Sequence, residues 1–410
     1  MTIAGMKDNA LAAATPSFEE LSKLHICFVA HNAYSALVGG QLRHTGGIEW
    51  QESLMARWLA ARGHEVSMVT WEEGEGSQAQ IHGVRVFSLG REDAGLPGLR
   101  FVHPRWTGLY RALGQADADL YYHNCGDAVL GQLALWCQWH RRACVYSVSC
   151  DPACDRRLPM LSAHRQRVLY RYGLRHADRI IVQTHHQQNM LREHFGLIGD
   201  VLPMPCEDTV QDRQVIKGRS SDSSSVLWIG RFAEQKRLEW LLDVAERLPQ
   251  YRFDVVGGPN SPSAYATALQ TRGRTIANVV LHGPLARSEL GRLYQGAICL
   301  CSTAGYEGFP NTFLEAWSYG LPVISSVDPD GIIAQFGLGR VATSVDGLVR
   351  EIDTLARSPE LWDRISTAAR EYYAANHTLD RSMGRFESLF QDVVRRFGLG
   401  YGRVRPSTTS

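Results

Sequence analysis

From Leu24 onward, short runs rich in β-branched and aromatic residues alternate with longer amphipathic stretches, and one long break divides the alternation into two series. A chain patterned this way builds βα units, because strands that pair in parallel must be joined by a crossover, usually a helix packed on the sheet. The first series predicts strands over 26–30, 66–70, 84–88, 120–123, 145–149 and 180–183. The helix expected over 49–62 shows the logic: Leu54, Trp58 and Leu59 share a face, Arg57 and Arg62 lie off it, and Gly63 stops it. Around 203–225 the periodicity fails and the polar, serine-rich run from Lys217 to Ser225 intervenes. A second series then predicts strands over 226–229, 253–256, 279–282, 298–301 and 323–325, and helical stretches over 360–375 and 382–397 close the chain. The expected fold class is α/β: two doubly wound Rossmann-like domains facing across a cleft, with ligands beyond the carboxyl ends of the strands. The boundaries read as a flexible leader 1–23, a first domain 24–205, a linker 206–225, a second domain 226–380, a terminal helix 381–400 and a flexible tail 401–410.

Length supports that division, since 410 residues suit two domains of about 200, each able to bury a substantial core. A net charge of +1 gives no global attraction for nucleic acid, and no nucleic-acid partner is expected. Nine scattered cysteines, several in apolar strand-like runs, read as reduced core thiols of a cytoplasmic protein rather than a disulfide framework. Cys150 and Cys154 beside Asp155 are the one pair inviting a metal reading, but no second pair has zinc-finger spacing, and no metal site is expected. No apolar run approaches the ~18 residues needed to cross a bilayer.

The chemistry-bearing residues follow predicted strands. Glu307 and Glu315 frame the turn Gly308-Phe309-Pro310-Asn311-Thr312, where a helix is expected to begin at Thr312. Free N–H groups at such an entry attract diphosphate, and a carboxylate one turn in accepts hydrogen bonds from ribose hydroxyls. A capping box explains Glu315 equally well, with Thr312 as cap and Glu315 tied back to the helix start; it leaves Glu307 unexplained. After strand 226–229, Gly230 permits a tight turn and Arg231 and Lys236 bring two cations to the next helix entry. Gly46 and Gly47 open the first long helix, with Gly39 and Gly40 in the same loop. His123 ends a strand where an imidazole faces the cleft, either donating to a ligand hydroxyl or satisfied by backbone, and Asp127 is a weaker candidate nearby. Gly257 and His282 end two further strands, while Asp117-Ala118-Asp119 precedes a strand and reads as a cap or strand start.

Glu307 and Glu315, with seven residues between them, together with the Gly230 to Lys236 loop, resemble the signatures of family-4 glycosyltransferases of the GT-B fold. The resemblance covers roughly 24–397. It implies a retaining enzyme that transfers a hexose-type sugar from a nucleotide-diphosphate sugar to an acceptor hydroxyl, in polysaccharide, glycolipid or glycoside biosynthesis. The first domain would then bind the acceptor, the second the donor, and the last helix would cross back onto the first domain. Arg231 and Lys236 would hold the diphosphate, Glu315 the ribose, Glu307 the donor sugar and His123 the sugar beside the acceptor. Gly46, Gly47, Gly230, Gly257, His282, Gly308, Phe309, Pro310, Asn311 and Thr312 would complete the donor site, without an obligatory metal or other cofactor. One departure is Asp328-Pro329-Asp330-Gly331, where relatives often carry a double glycine near the phosphates.

Over 141–179 nine arginines face three aspartates, and Leu169, Tyr170, Tyr172 and Leu174 are interleaved. This is either a solvated face or, as the resemblance implies, a peripheral contact with anionic headgroups at the inner membrane face, used to reach a lipid-linked acceptor. A polysaccharide or a small glycoside are the other acceptors left open. Two rival functions stand beside transfer: a GT-B nucleotide-sugar epimerase, and a non-catalytic GT-B partner subunit.

Overall fold

The computed structural model describes residues 23–39, 46–72, 79–97, 99–207, 225–259 and 261–401. The leader up to residue 22, Gly40, most of the linker and the tail from residue 402 lie outside them. Two sheets carry the chain. The first contains β1 (His25–Val29), β2 (Glu65–Thr70), β3 (Gln80–Ile81), β4 (Val84–Ser88), β5 (Leu120–His123), β6 (Ala143–Ser147), β7 (Arg179–Val182) and β8 (Asp200–Val201). Its order is β3-β4-β2-β1-β5-β6-β7-β8, parallel throughout except for the short β3 against β4. The second contains β9 (Ser225–Ile229), β10 (Arg252–Val256), β11 (Val279–Gly283), β12 (Ala297–Ser302), β13 (Val323–Ser325) and β14 (Gly339–Val341), in the order β11-β10-β9-β12-β13-β14 and all parallel. In each sheet the order reverses beside the first strand of its series, β1 or β9, which places a crevice at the carboxyl ends there.

β1, with every residue buried, and β6 show why the patterning reads as near-continuous apolar runs: both faces of a parallel sheet are covered by helices. β6 starts two residues earlier than 145–149 because Ala143 and Cys144 pair with Leu120 and Tyr121, and it ends at Ser147 as the chain leaves for the cleft. The helix Gly47–Ala61 is preceded by Gly46 in extended conformation, and Gly63, at φ +89°, turns the chain after it.

The helix His164–His176 carries the middle of the basic segment. Tyr170 and Leu174 are buried, and Gly131 and Gly173 let this helix and Val129–His140 touch backbone to backbone; a Cβ at Gly131 would lie 2.1 Å from the Leu169 carbonyl oxygen. Tyr170 donates to the Ala153 carbonyl at 2.9 Å and Tyr172 stacks on His176. Tyr170 and Leu174 thus belong to the domain core, while Leu169 and Tyr172 are half-buried and Val168 is 49% exposed. Arg156, Arg171 and Arg175 instead surround a cavity of about 360 Å³ with His194 and Phe195.

The last helix, Leu379–Tyr401, packs on the first sheet: Phe386 and Phe390 lie against Tyr122, with ring centroids 6.5 and 5.8 Å away. Each such buried phenylalanine contributes roughly 1.5–3 kcal/mol. Trp58 donates to Asp380 at 2.7 Å, and His64 meets Glu387 at 2.8 Å. The chain therefore crosses between the sheets twice, and the crossings touch: Cys206 N–H donates to the His377 carbonyl, Tyr373 hydroxyl to the Cys206 carbonyl and His377 Nδ1 to the Met204 carbonyl, each at 3.0 Å. Among the described residues no helix is long and apolar enough to cross a membrane, and all nine cysteines are free thiols.

Candidate active site

The carboxyl ends of β9, β10 and β11 form a floor of backbone. Gly230 N–H donates to the Val256 carbonyl at 3.0 Å and Gly257 N–H to the Gly283 carbonyl at 2.9 Å. Gly257 stands at φ +119°, and a Cβ there would lie 2.0 Å from the Gly230 oxygen, so only glycine fits. Beside this floor a cavity of about 540 Å³ is lined by Phe232, Gly257, Gln270, Arg274, His282 and Gly283 among others. His282 is held by the buried Asp254 at 2.7 Å, so its ring is oriented from beneath rather than free to swing.

Above the floor, Lys236 pairs with Glu307, joining the two motifs into one ion pair. Arg237, which sequence reasoning missed, locks this loop: its guanidinium donates to the Thr303 and Ala304 carbonyls at 2.8 Å each and to Ser326 at 3.2 Å, from a backbone at φ +45°. Thr303 in turn donates to the Lys236 carbonyl at 2.7 Å. Arg231 is exposed, with no ion-pair partner among the described residues.

The capping box at Thr312 does not form. The helix is Asn311–Ser318 with Pro310 as its cap, so Thr312 sits inside the first turn. Glu315, 6% exposed, instead accepts from Arg287 at 2.6 Å and from Tyr294 at 2.7 Å. Burial, and then the neighbouring Glu315 carboxylate, push the Tyr294 hydroxyl well above its ordinary pKa, which keeps it a donor. Arg287 also lies over the ring of Trp50, 4.3 Å from its centroid, which ties Glu315 to the first domain.

Gly308 to Asn311 lies on the interdomain contact. A Cβ at Gly308 would meet Gln183 and Gln187 at 2.8 Å and the Ser149 oxygen at 2.9 Å. Phe309 N–H donates to Gln183 at 2.8 Å while its ring packs on Trp317 and His377, so the side chain faces the domain crossing and not the floor. Asn311 donates to the Gly47 carbonyl at 2.9 Å, and a Cβ at Gly47 would lie 2.8 Å from the Asn311 amide; at Gly46 it would meet Glu49.

On the first domain, His123 ends β5 with one ring nitrogen on the Val29 carbonyl at 2.8 Å and the other on Asp127 at 3.2 Å. Burial opposes its charged form, but the Asp127 carboxylate and the Val29 carbonyl together outweigh it and raise the imidazole above its ordinary range. Sequence reasoning missed three neighbours. His31 is driven down to about 4, by burial first and then against the pull of Asp127, and its Nε2 lacks a hydrogen-bond partner among the described residues. Asn124 is 1% exposed with both amide atoms unpartnered. Glu52 is pushed well up by burial, with Glu49 and Asp127 adding to the shift, which favours its protonated form. The signal was available for Asn124, which follows His123 at a strand end; His31 and Glu52 become neighbours only in the fold. Asp117 caps the preceding helix at φ +45° and Asp119 accepts from His25 N–H at 3.0 Å, so that pair is structural. Among the described residues no three His, Cys, Asp or Glu side chains cluster as metal ligands.

Two parallel sheets facing each other, with paired carboxylates and cations on the edge of the second, define the GT-B class, and the comparisons agree. The profile described as "Glycosyl transferase 4-like domain" matches residues 46–207, and that described as "Glycosyl transferases group 1" matches 223–358. The chain belongs to the family-4-like glycosyltransferases of the GT-B fold. Mannosylfructose-phosphate synthase of Agrobacterium fabrum is 28% identical over 198 residues, 43% of each chain. The matched stretches span 33–60% of the length of the first curated relatives. Sucrose-phosphate synthase from Thermosynechococcus elongatus superposes with a TM-score of 0.73 at 16% identity, covering 91% of this chain and 100% of the other. Anabaena HepE in complex with UDP and glucose gives 0.70 at 16% identity, with 90% and 99% covered.

Proposed function

We propose that this protein transfers a hexose-type sugar from a nucleotide-diphosphate sugar to an acceptor hydroxyl, with retention of configuration. The observation that carries the reading is the Lys236–Glu307 pair, whose lysine shares the loop after β9 with the exposed Arg231. A leaving nucleoside diphosphate gathers negative charge as the sugar departs, and cations already in place stabilise that charge without reorganising. In this scheme the bond from the anomeric carbon to the diphosphate oxygen breaks, the acceptor oxygen bonds to the same face, and the acceptor proton passes to the departing phosphate oxygen. Arg231 and Lys236 take the diphosphate, Glu307 the sugar hydroxyls, Glu315 the ribose, and His123 with Asp127 the acceptor side; no metal is required by this scheme. The relatives, two sugar-phosphate synthases and a protein bound to UDP and glucose, support a nucleotide sugar as donor. The Arg156, Arg171 and Arg175 cavity is the remaining candidate for a peripheral contact with anionic headgroups.

A thermal-shift screen against UDP-, GDP- and ADP-sugars identifies the base, and nucleoside diphosphate release with and without acceptor tests the reaction. Release that rises with acceptor is the expected result. Conversion of the nucleotide sugar with no acceptor required would replace transfer by epimerisation, and no binding of any nucleotide sugar would point to a non-catalytic subunit.

A further inference from the structure

We propose that Asp330 is a positioning residue for transfer: carried on the second domain, its carboxylate caps a helix of the first domain and holds the cleft closed. The proposal rests on the transferase reading above. The helix His185–Phe195 begins after β7 at the cleft, and its own Thr184 accepts from Gln187 N–H at 3.1 Å. That leaves the N–H groups of the first two helical residues without an intrahelical partner. Asp330 supplies both: Oδ2 accepts from His185 N–H at 2.6 Å and Oδ1 from His186 N–H at 2.9 Å. The other hydrogen bonds across the cleft among the described residues, from Phe309 to Gln183, from Asn311 to Gly47 and from Gln51 to Asn311, join neutral groups. Asp330 alone among these brings a full charge to the positive end of a helix.

The loop is shaped for this reach. Asp328 fixes its base by accepting from Ile333 N–H at 2.8 Å and Ala334 N–H at 3.2 Å. Asp330 then stands at φ +52° and Gly331 at φ +72°. The left-handed region favours glycine, and aspartate is among the few residues with a Cβ that enter it readily, so the turn can carry a carboxylate at this position. Closure also brings Asp330 and Glu307 toward the half-buried Asp151, whose carboxyl is raised by burial first, against the Gln187 hydrogen bond and His186, with smaller contributions from these two carboxylates. Like charges oppose closure, and the helix end offsets that repulsion.

Asp330→Gly tests the idea without endangering the fold, because it removes the carboxylate and relieves the backbone. The readouts are peptide-level hydrogen exchange over 184–190, donor affinity by calorimetry and transfer kinetics. Loss of the latch predicts exchange over 184–190 that is severalfold faster, kcat lower by about tenfold and donor Kd unchanged within twofold. Asp330→Asn, which keeps an acceptor but not the charge, falls between. Unchanged exchange overturns the proposal, as does tighter donor binding with faster turnover, which would mean that Asp330 repels the diphosphate. If no donor supports transfer, the transferase reading fails by itself, and the exchange experiment still decides the latch.

Discussion

On the side of the cleft proposed for the donor most charges are already matched, Lys236 with Glu307, Arg287 and Tyr294 with Glu315, His282 with Asp254, and only Arg231 stands exposed without an ion-pair partner among the described residues. On the acceptor side, beyond the His123–Asp127 pair, the groups at the sheet edge are uncharged or pushed toward neutrality: Asn124 without partners, His31 driven to about 4, Glu52 favouring its protonated form. The difference matches the two ligands proposed. A diphosphate calls for preassembled charge, whereas a hydroxyl calls for neutral donors and acceptors kept dry until it arrives.

The largest test of the matched side is Glu315→Ala. It strands the Arg287 cation; breaking a fully buried pair costs about 3–5 kcal/mol, an upper bound here because the Arg287 side chain is 31% exposed. Chemical denaturation checks the stability, and donor titration the role: both should fall. Lost stability with intact donor affinity would leave Glu315 a purely structural anchor.

Acid should act at His31 beside β1 and at His377 at the domain crossing, both depressed by burial to about 4, and His31 is the one that tests the first-domain site. His31 has a folded pKa of about 4, below its unfolded value near 6.5, so between these pH values the unfolded chain binds the extra proton. Its contribution is whole above the unfolded pKa and drains away as pH falls through that window, by up to about 3 kcal/mol. His123 runs the other way: raised in the fold, it favours the native state below its unfolded pKa and loses that effect as pH rises through the folded one. Denaturation midpoints of wild type and His31→Gln between pH 7 and 4.5 separate the two, with the flatter profile expected for the variant. Parallel profiles would remove His31 from the account.

Next in size is Lys236→Ala, which should lower kcat/KM by ~10² or more, since its contact strengthens as the leaving group departs. Near-normal turnover in a folded variant would break the electrostatic half of the comparison.

The same contrast explains what the sequence made legible. Both βα series could be read because fully buried parallel strands repeat one local pattern. The donor-side candidates were readable because Gly230 to Lys236 and Glu307 to Glu315 are contiguous stretches in which charge and glycine sit together. Local grammar misled at Thr312, where a capping box was written but Pro310 starts the helix and Arg287 takes the glutamate. At Tyr170 and Leu174 it left a solvated face and a headgroup contact both open, because an amphipathic helix does not announce which partner covers its apolar residues. His31, Glu52 and Asn124 come from three separate elements, and only the sheet order β2-β1-β5 and the helix beside it bring them together. Arg237 was hidden for a related reason: its partners are carbonyl oxygens of later loops, which no side-chain pattern records.

The smallest expected effect is the sharpest test of the acceptor side. Asn124 holds both amide atoms in the interior unpaired, at a cost of about 1–3 kcal/mol for a buried polar group. Asn124→Leu, close in size, should therefore raise stability by about 1 kcal/mol while acceptor KM rises roughly tenfold and donor Kd stays put. That trade is what a residue kept for its ligand predicts, because the amide would gain its partners only when the acceptor binds. A destabilised variant would mean that Asn124 already has partners in the resting protein, and unchanged acceptor kinetics would mean that its amide faces no ligand.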